Sequence, residues 1–163
     1  MKTAVIYKTK TNTSKKCAEL LRGMIGTEEV DVINLAEQKP DLALYDTVVI
    51  GASVRAGMIG SKMKRYLKRH VAELAKKQLY LYLCCVSTDD VETYLQKNIP
   101  AELLKHASAA MRFGALVCPE EASGLSRKMM ESMKKSYAEK GIPEPCINET
   151  AIREMAEMIT RLG

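Results

Sequence analysis

Apolar and polar positions along this chain alternate in two periods, and the switches between them outline its elements. Lys2 to Tyr7 (KTAVIY) is a short run rich in β-branched residues and reads as a buried strand. Cys17, Leu20, Leu21, Met24 and Ile25 then share one helical stripe, which predicts a helix from about Ser14 to Ile25 closed by Gly26. Val30, Val32 and Leu35 alternate in EVDVINL, a second strand; KPDLALYD is a loop or single turn; TVVIG is a third strand that stops at Gly51. From Ser61 to about Ala75, Met63, Tyr66, Leu67, Val71 and Leu74 follow helical spacing. Leu79 to Val86 (LYLYLCCV) is continuously apolar, the mark of a strand covered on both faces. Asp90–Asn98 and Ala101–Ala110 read as helices parted by Pro100, and MRFGALV, from Met111, as the fifth strand. An extra helix from about Leu125 to Lys140, a loop GIPEPCIN and a last helix from Glu149 to Leu162 complete the chain.

Strand and helix alternating five times predict one parallel sheet with helices on both faces. No internal repeat or low-complexity tract interrupts it, and 163 residues form a single domain by length. In open sheets of this kind ligands bind at the carboxyl ends of the strands, near the switch in strand order. The loops after strands one, three and four are therefore the places where chemistry is expected.

Composition narrows the class. No apolar run approaches the roughly 20 residues that span a bilayer, and MKTAVIY passes into polar residues with no signal-peptide pattern, so a cytoplasmic location is expected. The five cysteines have no metal-type spacing and read as reduced thiols, and no metal is expected. A net charge of +5 suits anionic ligands, acidic partners or a membrane surface without choosing among them; nucleic acid is not expected.

The loop after strand one, YKTKTNTSKKCA, carries Thr9, Thr11, Thr13 and Ser14 interleaved with Lys10 and Asn12. A helix N-terminus offers unpaired N–H groups and partial positive charge, and hydroxyls add neutral donors; together they suit a phosphate. Capping alone would need one hydroxyl, not four. The dinucleotide GxGxxG and the GxxxxGK[ST] phosphate loop are both missing. A response-regulator receiver needs acidic residues after strands one and three; this chain has Tyr7-Lys8 and Gly51-Ala52 there.

Thr9 to Ser14 resembles the flavodoxin phosphate loop S/T-x-T-G-x-T, with Asn12 in place of the usual Gly; Asn is the next most tolerant residue of left-handed geometry. YDTVVIGASVRAGMIGSKMKRYLKRH (Tyr45 to His70) is similar to the branch of the flavodoxin-like family that includes bacterial quinone-linked protoporphyrinogen oxidases, as are Gly114 to Leu116 with Pro119 and the helix inserted before the last. The resemblance implies an α/β flavodoxin-like three-layer fold, a five-stranded parallel sheet in the order 2-1-3-4-5, and bound FMN. Thr9, Lys10, Thr11, Asn12, Thr13 and Ser14 would surround the phosphate. Ala52, Ser53, Val54, Arg55, Ala56 and Gly57 would form a loop beside the ring, and Cys84, Cys85, Val86 and Ser87 would line its other edge. Neither ring loop carries the aromatic residue that flavodoxins usually stack on the flavin.

Gly51 and Gly57 permit close backbone approach to a ligand, and Arg55 is the strong cation of the expected site, able to stabilise negative charge on a reduced ring or else to pair with a surface carboxylate. His70 and His106 read as structural residues. The extra helix repeats Leu125, Met129, Met133 and Tyr137 with Arg127, Lys128, Lys134 and Lys135 between; it either packs on its own domain or meets a membrane surface or partner. The expected function is that of an FMN-binding oxidoreductase or electron-transfer protein, protoporphyrinogen-oxidase-like in its most specific form and working with a redox partner protein or quinone. The alternatives are a flavodoxin-type electron carrier without a substrate of its own and a flavin-free interaction module.

Overall fold

The computed structural model describes residues 1–9, 11–26 and 29–162. Its strands are β1 (Thr3–Lys8), β2 (Val30–Asn34), β3 (Thr47–Arg55), β4 (Met58–Ile59), β5 (Gln78–Cys84) and β6 (Ala109–Gly114). Five run parallel in the order β2-β1-β3-β5-β6, the expected order once β4, an antiparallel partner of β3, is set aside. The helices are α1 (Thr13–Ile25), α2 (Ser61–Arg69), α3 (Val71–Leu74), α4 (Val91–Asn98), α5 (Ala101–His106), α6 (Gly124–Lys140) and α7 (Glu149–Arg161).

Residues on one strand alternate between two cores, which is why the sheet reads as continuous apolar runs. Ala4 and Ile6 of β1 face Met63 and Leu67 of α2, Leu95 of α4 and Leu103 of α5. Val5 and Tyr7 face Cys17 and Leu21 of α1 with Ile152, Met155 and Ile159 of α7. Helix α6 belongs to neither core: none of its residues is buried.

Several boundaries differ from expectation. The third strand passes Gly51 to Arg55 and turns back through Ala56-Gly57 into β4, so the expected loop is a hairpin. Both turn residues have positive φ, 48° and 74°, the two-residue geometry whose twist matches paired strands. The helix expected over 61–75 is broken at His70, whose N–H donates to the Tyr66 carbonyl while its own carbonyl accepts from Leu74, closing α2 and opening α3. Helix α5 ends at His106 because Ser108 N–H pairs with the Leu79 carbonyl, so Ala109 and Ala110 join β6 although alanine favours helix. The fourth strand stops at Cys84, leaving Cys85–Ser87 in a loop, and the fifth at Gly114.

Candidate functional site

The carboxyl ends of β1, β3 and β5 open into a cavity of about 440 Å³, within the range of small-molecule sites. Its floor is the N-terminus of α1. Asn12 stands at the cap in the left-handed conformation, φ 61°, which the sequence allowed for, and its side chain makes no capping bond. The first turn of α1 holds no acidic residue, so its partial positive charge is uncancelled from within the helix. Thr11 and Thr13 are buried and line the cavity, and neither hydroxyl bonds to another described side chain. Thr9 and Ser14 are spent on structure: the Thr9 hydroxyl accepts from Thr11 N–H at 3.2 Å, and Ser14 Oγ lies 2.7 Å from Ser53 Oγ. Asn12 is exposed and away from the cavity. Lys10, expected here, lies outside the described residues.

The second wall is the hairpin. Ser53, Val54, Arg55, Ala56 and Gly57 all line the cavity, whereas Ala52 is buried in the core beneath. Ser53 Oγ meets Thr9 Oγ at 3.4 Å as well as Ser14, so one hydroxyl joins the β1 loop to the hairpin. Arg55 is exposed and donates through Nη1 to the Ser126 hydroxyl at 2.8 Å, binding the hairpin to α6 rather than to a carboxylate. Gly51 serves a different purpose from the close ligand approach expected of it: a Cβ there would sit 1.9 Å from Cζ of the buried Tyr82 ring. Tyr82 stacks on Phe113 at 4.4 Å and donates from its hydroxyl to the Ser14 carbonyl at 2.8 Å, supporting the first turn of α1 from below.

Cys84, Cys85, Val86 and Ser87 line the third wall. Arg112 of β6 holds this loop in shape: its Nε lies 3.0 Å from the carbonyls of both Cys85 and Ser87, and its Nη2 is 2.9 Å from that of Val86. One guanidinium, with donors spread along a planar fork, can serve three successive carbonyls; an ammonium point charge cannot match that geometry. The neighbouring Cys17 thiol, Sγ to Sγ 3.7 Å, and burial push the Cys84 thiol well up. Burial also raises that of Cys85, against the pull of Arg112. Both are protonated at neutral pH, which fits wall-forming thiols rather than nucleophiles.

The roof was not legible in the sequence. Ser126, Met129, Met130 and Met133 of α6 face the cavity, a set shifted round the helix from the Leu125–Met129–Met133–Tyr137 stripe. Ala115, Leu116 and Val117 complete it, and Tyr94 enters from α4, its ring 3.5 Å from where a Gly57 Cβ would be. An aromatic side chain therefore reaches the site from a helix, although neither loop supplies one. His70 and His106 are structural as expected: His70 Nδ1 is 3.0 Å from Glu73 Oε1, and His106 Nε2 lies 2.7 Å from the Lys77 carbonyl. Among the described residues no group of three His, Cys, Asp or Glu could hold a metal ion, and no helix is long and apolar enough to cross a membrane.

Comparison with known structures places this architecture. A flavodoxin from the domain Archaea is 16% identical and matches with a TM-score of 0.57 over 86% of this chain and 98% of its own. The Streptococcus pneumoniae TIGR4 flavodoxin is 12% identical, TM-score 0.55, over 86% and 99%. Oxidised flavodoxin 1 from Bacillus cereus is 14% identical, TM-score 0.51, over 85% and 98%. At these identities the likeness shows the fold, which is flavodoxin-like. No curated protein matches the sequence significantly. The family model described as flavodoxin domain matches residues 4–142, most of the chain, and on that match the chain belongs to the flavodoxin-domain family.

Proposed function

We propose that this protein binds FMN noncovalently and works as an oxidoreductase or electron-transfer protein. The observation that carries the reading is the uncapped, acid-free start of α1, where the buried Thr11 and Thr13 open into a cavity walled by the hairpin and the Cys84–Ser87 loop. Helix N–H groups with two neutral hydroxyls suit a terminal phosphate monoester, and the apolar walls suit a flat ring. Thr11, Thr13 and the backbone of Asn12 would hold the phosphate; Ser53–Gly57 and Cys85–Ser87 would flank the ring, with Tyr94 at its edge. Bound FMN supplies one- and two-electron transfer, and the protein supplies placement, exclusion of water and local charge.

The finer reading, a protoporphyrinogen-oxidase-like enzyme passing electrons to a quinone, rests on the resemblance of Tyr45–His70. The methionine roof supports it, because flexible thioethers adapt to bulky, largely apolar guests of irregular shape. A carrier with no substrate of its own is the second reading, and the exposed mouth favours it: Val86 and Met129 both line the cavity and face solvent.

Titration with FMN, riboflavin and FAD, read by quenching of flavin fluorescence, tests the assignment. FMN is expected to bind at least tenfold more tightly than riboflavin, because only the phosphate would engage the α1 N–H groups and the Thr11 and Thr13 hydroxyls. Equal affinity for riboflavin and FMN removes the phosphate site, and no uptake of any flavin leaves an interaction module. Porphyrinogen oxidation coupled to a quinone separates the enzyme from the carrier.

A further inference from the structure

Helix α2 begins immediately beyond the cavity-lining hairpin and carries the barest concentration of charge in the molecule. Lys62, Lys64, Arg65, Lys68 and Arg69 lie within nine residues that include no acid. None of the five is within ion-pair distance of a described carboxylate, whereas α6 pairs Arg127 with Glu131 and Lys135 with Glu139. This one helix matches the net +5 of the whole chain, so every other charge sums to zero. Like charges on neighbouring turns repel, a cost that packing of Met63 and Leu67 offsets without removing.

The start of the stripe meets the site. Lys62 shares a second cavity, of about 310 Å³, with Arg55, Ser53 and Met58. Met58 is 37% exposed, pairs with Arg55 across the hairpin, and has its sulfur 3.8 Å from Lys64 Nζ. An exposed methionine flanked by unpaired cations, one strand from the cavity wall, has the make-up of an interface: an apolar anchor within a charged rim.

We propose that the α2 face, with Met58 at its head, is the docking surface for an acidic redox protein that exchanges electrons with the cofactor. The inference rests on the FMN reading above and names its partner. A bilayer fits this face less well, because the apolar stripe of α2 is buried in the core and none of its residues is an exposed large hydrophobic. Nucleic acid fits less well too: the aromatic of α2, Tyr66, is half-buried against His70 and offers bases no stacking face.

The test uses an acidic [2Fe–2S] ferredoxin as the probe. Its reduced form is mixed with the FMN-loaded protein in a stopped-flow instrument over a range of ionic strength, and its binding to flavin-free protein is followed by calorimetry. Lys62→Glu/Lys64→Glu puts acids near a helix N-terminus, where the dipole favours them, so folding is not threatened; Lys62→Gln/Lys64→Gln removes charge without reversing it. The wild type is expected to be reduced at a rate that falls steeply with salt, and the double Glu variant about tenfold more slowly at low salt with a flattened salt dependence, the Gln variant lying between. Photochemical reduction should be the same in all three. Equal ferredoxin rates and salt slopes in wild type and variants overturn the proposal. So does wild-type capture by phosphatidylserine vesicles or duplex DNA without calorimetric binding to ferredoxin. Failure of the protein to hold FMN sinks the cofactor reading alone, since docking is still read by calorimetry on the flavin-free chain.

Discussion

Gly51→Ala adds one methyl group in the middle of β3 and tests how the sheet supports the site. The new Cβ would meet Tyr82 Cζ at 1.9 Å and its hydroxyl oxygen at 2.2 Å, well inside ordinary van der Waals contact. The ring cannot swing aside: Tyr82 is fully buried, stacked on Phe113 at an interplanar angle of 10°, and hydrogen-bonded to the Ser14 carbonyl. Overpacking of a tight core commonly costs about 1–3 kcal/mol, and displacing this ring also forfeits a buried hydrogen bond worth about 1 kcal/mol. The expected loss is about 2–4 kcal/mol, a fall in Tm of roughly 4–16 °C for a chain of this size. Urea titration at fixed pH gives the free energy directly.

The double variant Gly51→Ala/Tyr82→Leu supplies the discriminating measurement. Tyr82→Leu alone leaves a cavity and is destabilising, but it removes the atoms that the new methyl would strike. The pair should therefore cost less than the sum of the singles by at least about 1.5 kcal/mol. FMN affinity should fall in Gly51→Ala, because the Ser14 carbonyl moves with the ring. A loss below about 1 kcal/mol for Gly51→Ala, or strict additivity in the double variant, would refute the steric account.

Other expectations follow from the site's supports. Arg112→Met deletes a donor serving three loop carbonyls; with part of that contact exposed, a stability loss of about 2–3 kcal/mol is expected by urea titration, and Arg112→Lys should restore less than half of it. Thr11→Ala and Thr13→Ala should each weaken FMN about five- to tenfold while leaving riboflavin affinity unchanged; equal effects on both ligands would place the hydroxyls away from the phosphate. Ala56→Gly relieves a left-handed alanine and should stabilise the fold by about 1 kcal/mol in urea titration; an unchanged or lower stability would refute strain at that turn. In alkali, burial holds the Tyr66 and Tyr82 hydroxyls above their ordinary value, while the unfolded chain ionises near 10. Their stabilising contribution is complete below pH 10 and is lost as pH rises above it, so Tm should fall between about pH 10 and 12, less steeply in Tyr66→Phe.

What could be read from sequence and what could not divide along a physical line. Strands β1, β3 and β5 are buried on both faces, so their apolar runs depend only on local composition, and the order of elements followed from them. The α1 loop was legible because hydroxyl density is itself local, and Asn12 in left-handed geometry is what its side chain tolerates. Thr9 and Ser14 divided from Thr11 and Thr13 only in three dimensions, where Ser53 from a distant strand takes up the first pair. The role of Gly51 was misread for the same reason, since Tyr82 lies 31 positions away in the chain and beside it in the sheet. The end of α5 shows tertiary pairing overriding propensity, with Ala109 and Ala110 drawn into β6 by the edge of β5.

Arg112 is the residue whose absence from the sequence reading says most. A strand arginine, half-buried, looks like a solvated edge charge; nothing in its neighbours Met111 and Phe113 signals three carbonyls waiting beyond the end of the adjacent strand. Yet the Cys85–Ser87 loop has no helical or sheet pairing to fix its carbonyls, and a site wall of that kind requires a donor from elsewhere. The same logic applies below α1, where Tyr82 from β5 supports the first turn, and at the hairpin, where Ser53 and Arg55 join it to the α1 loop and to α6. The α1 turn and the 85–87 loop are thus each held by a side chain from another element, and the hairpin by its own side chains anchored on Ser14 and Ser126, so that rigidity at the site is a property of the sheet's strand order rather than of any loop sequence. If that is correct, exchanging the 84–87 segment for another of equal length should preserve the wall as long as Arg112 remains, whereas Arg112→Met should loosen the native segment. Amide exchange at residues 85–88 measures this, and equal protection in wild type and Arg112→Met would refute it.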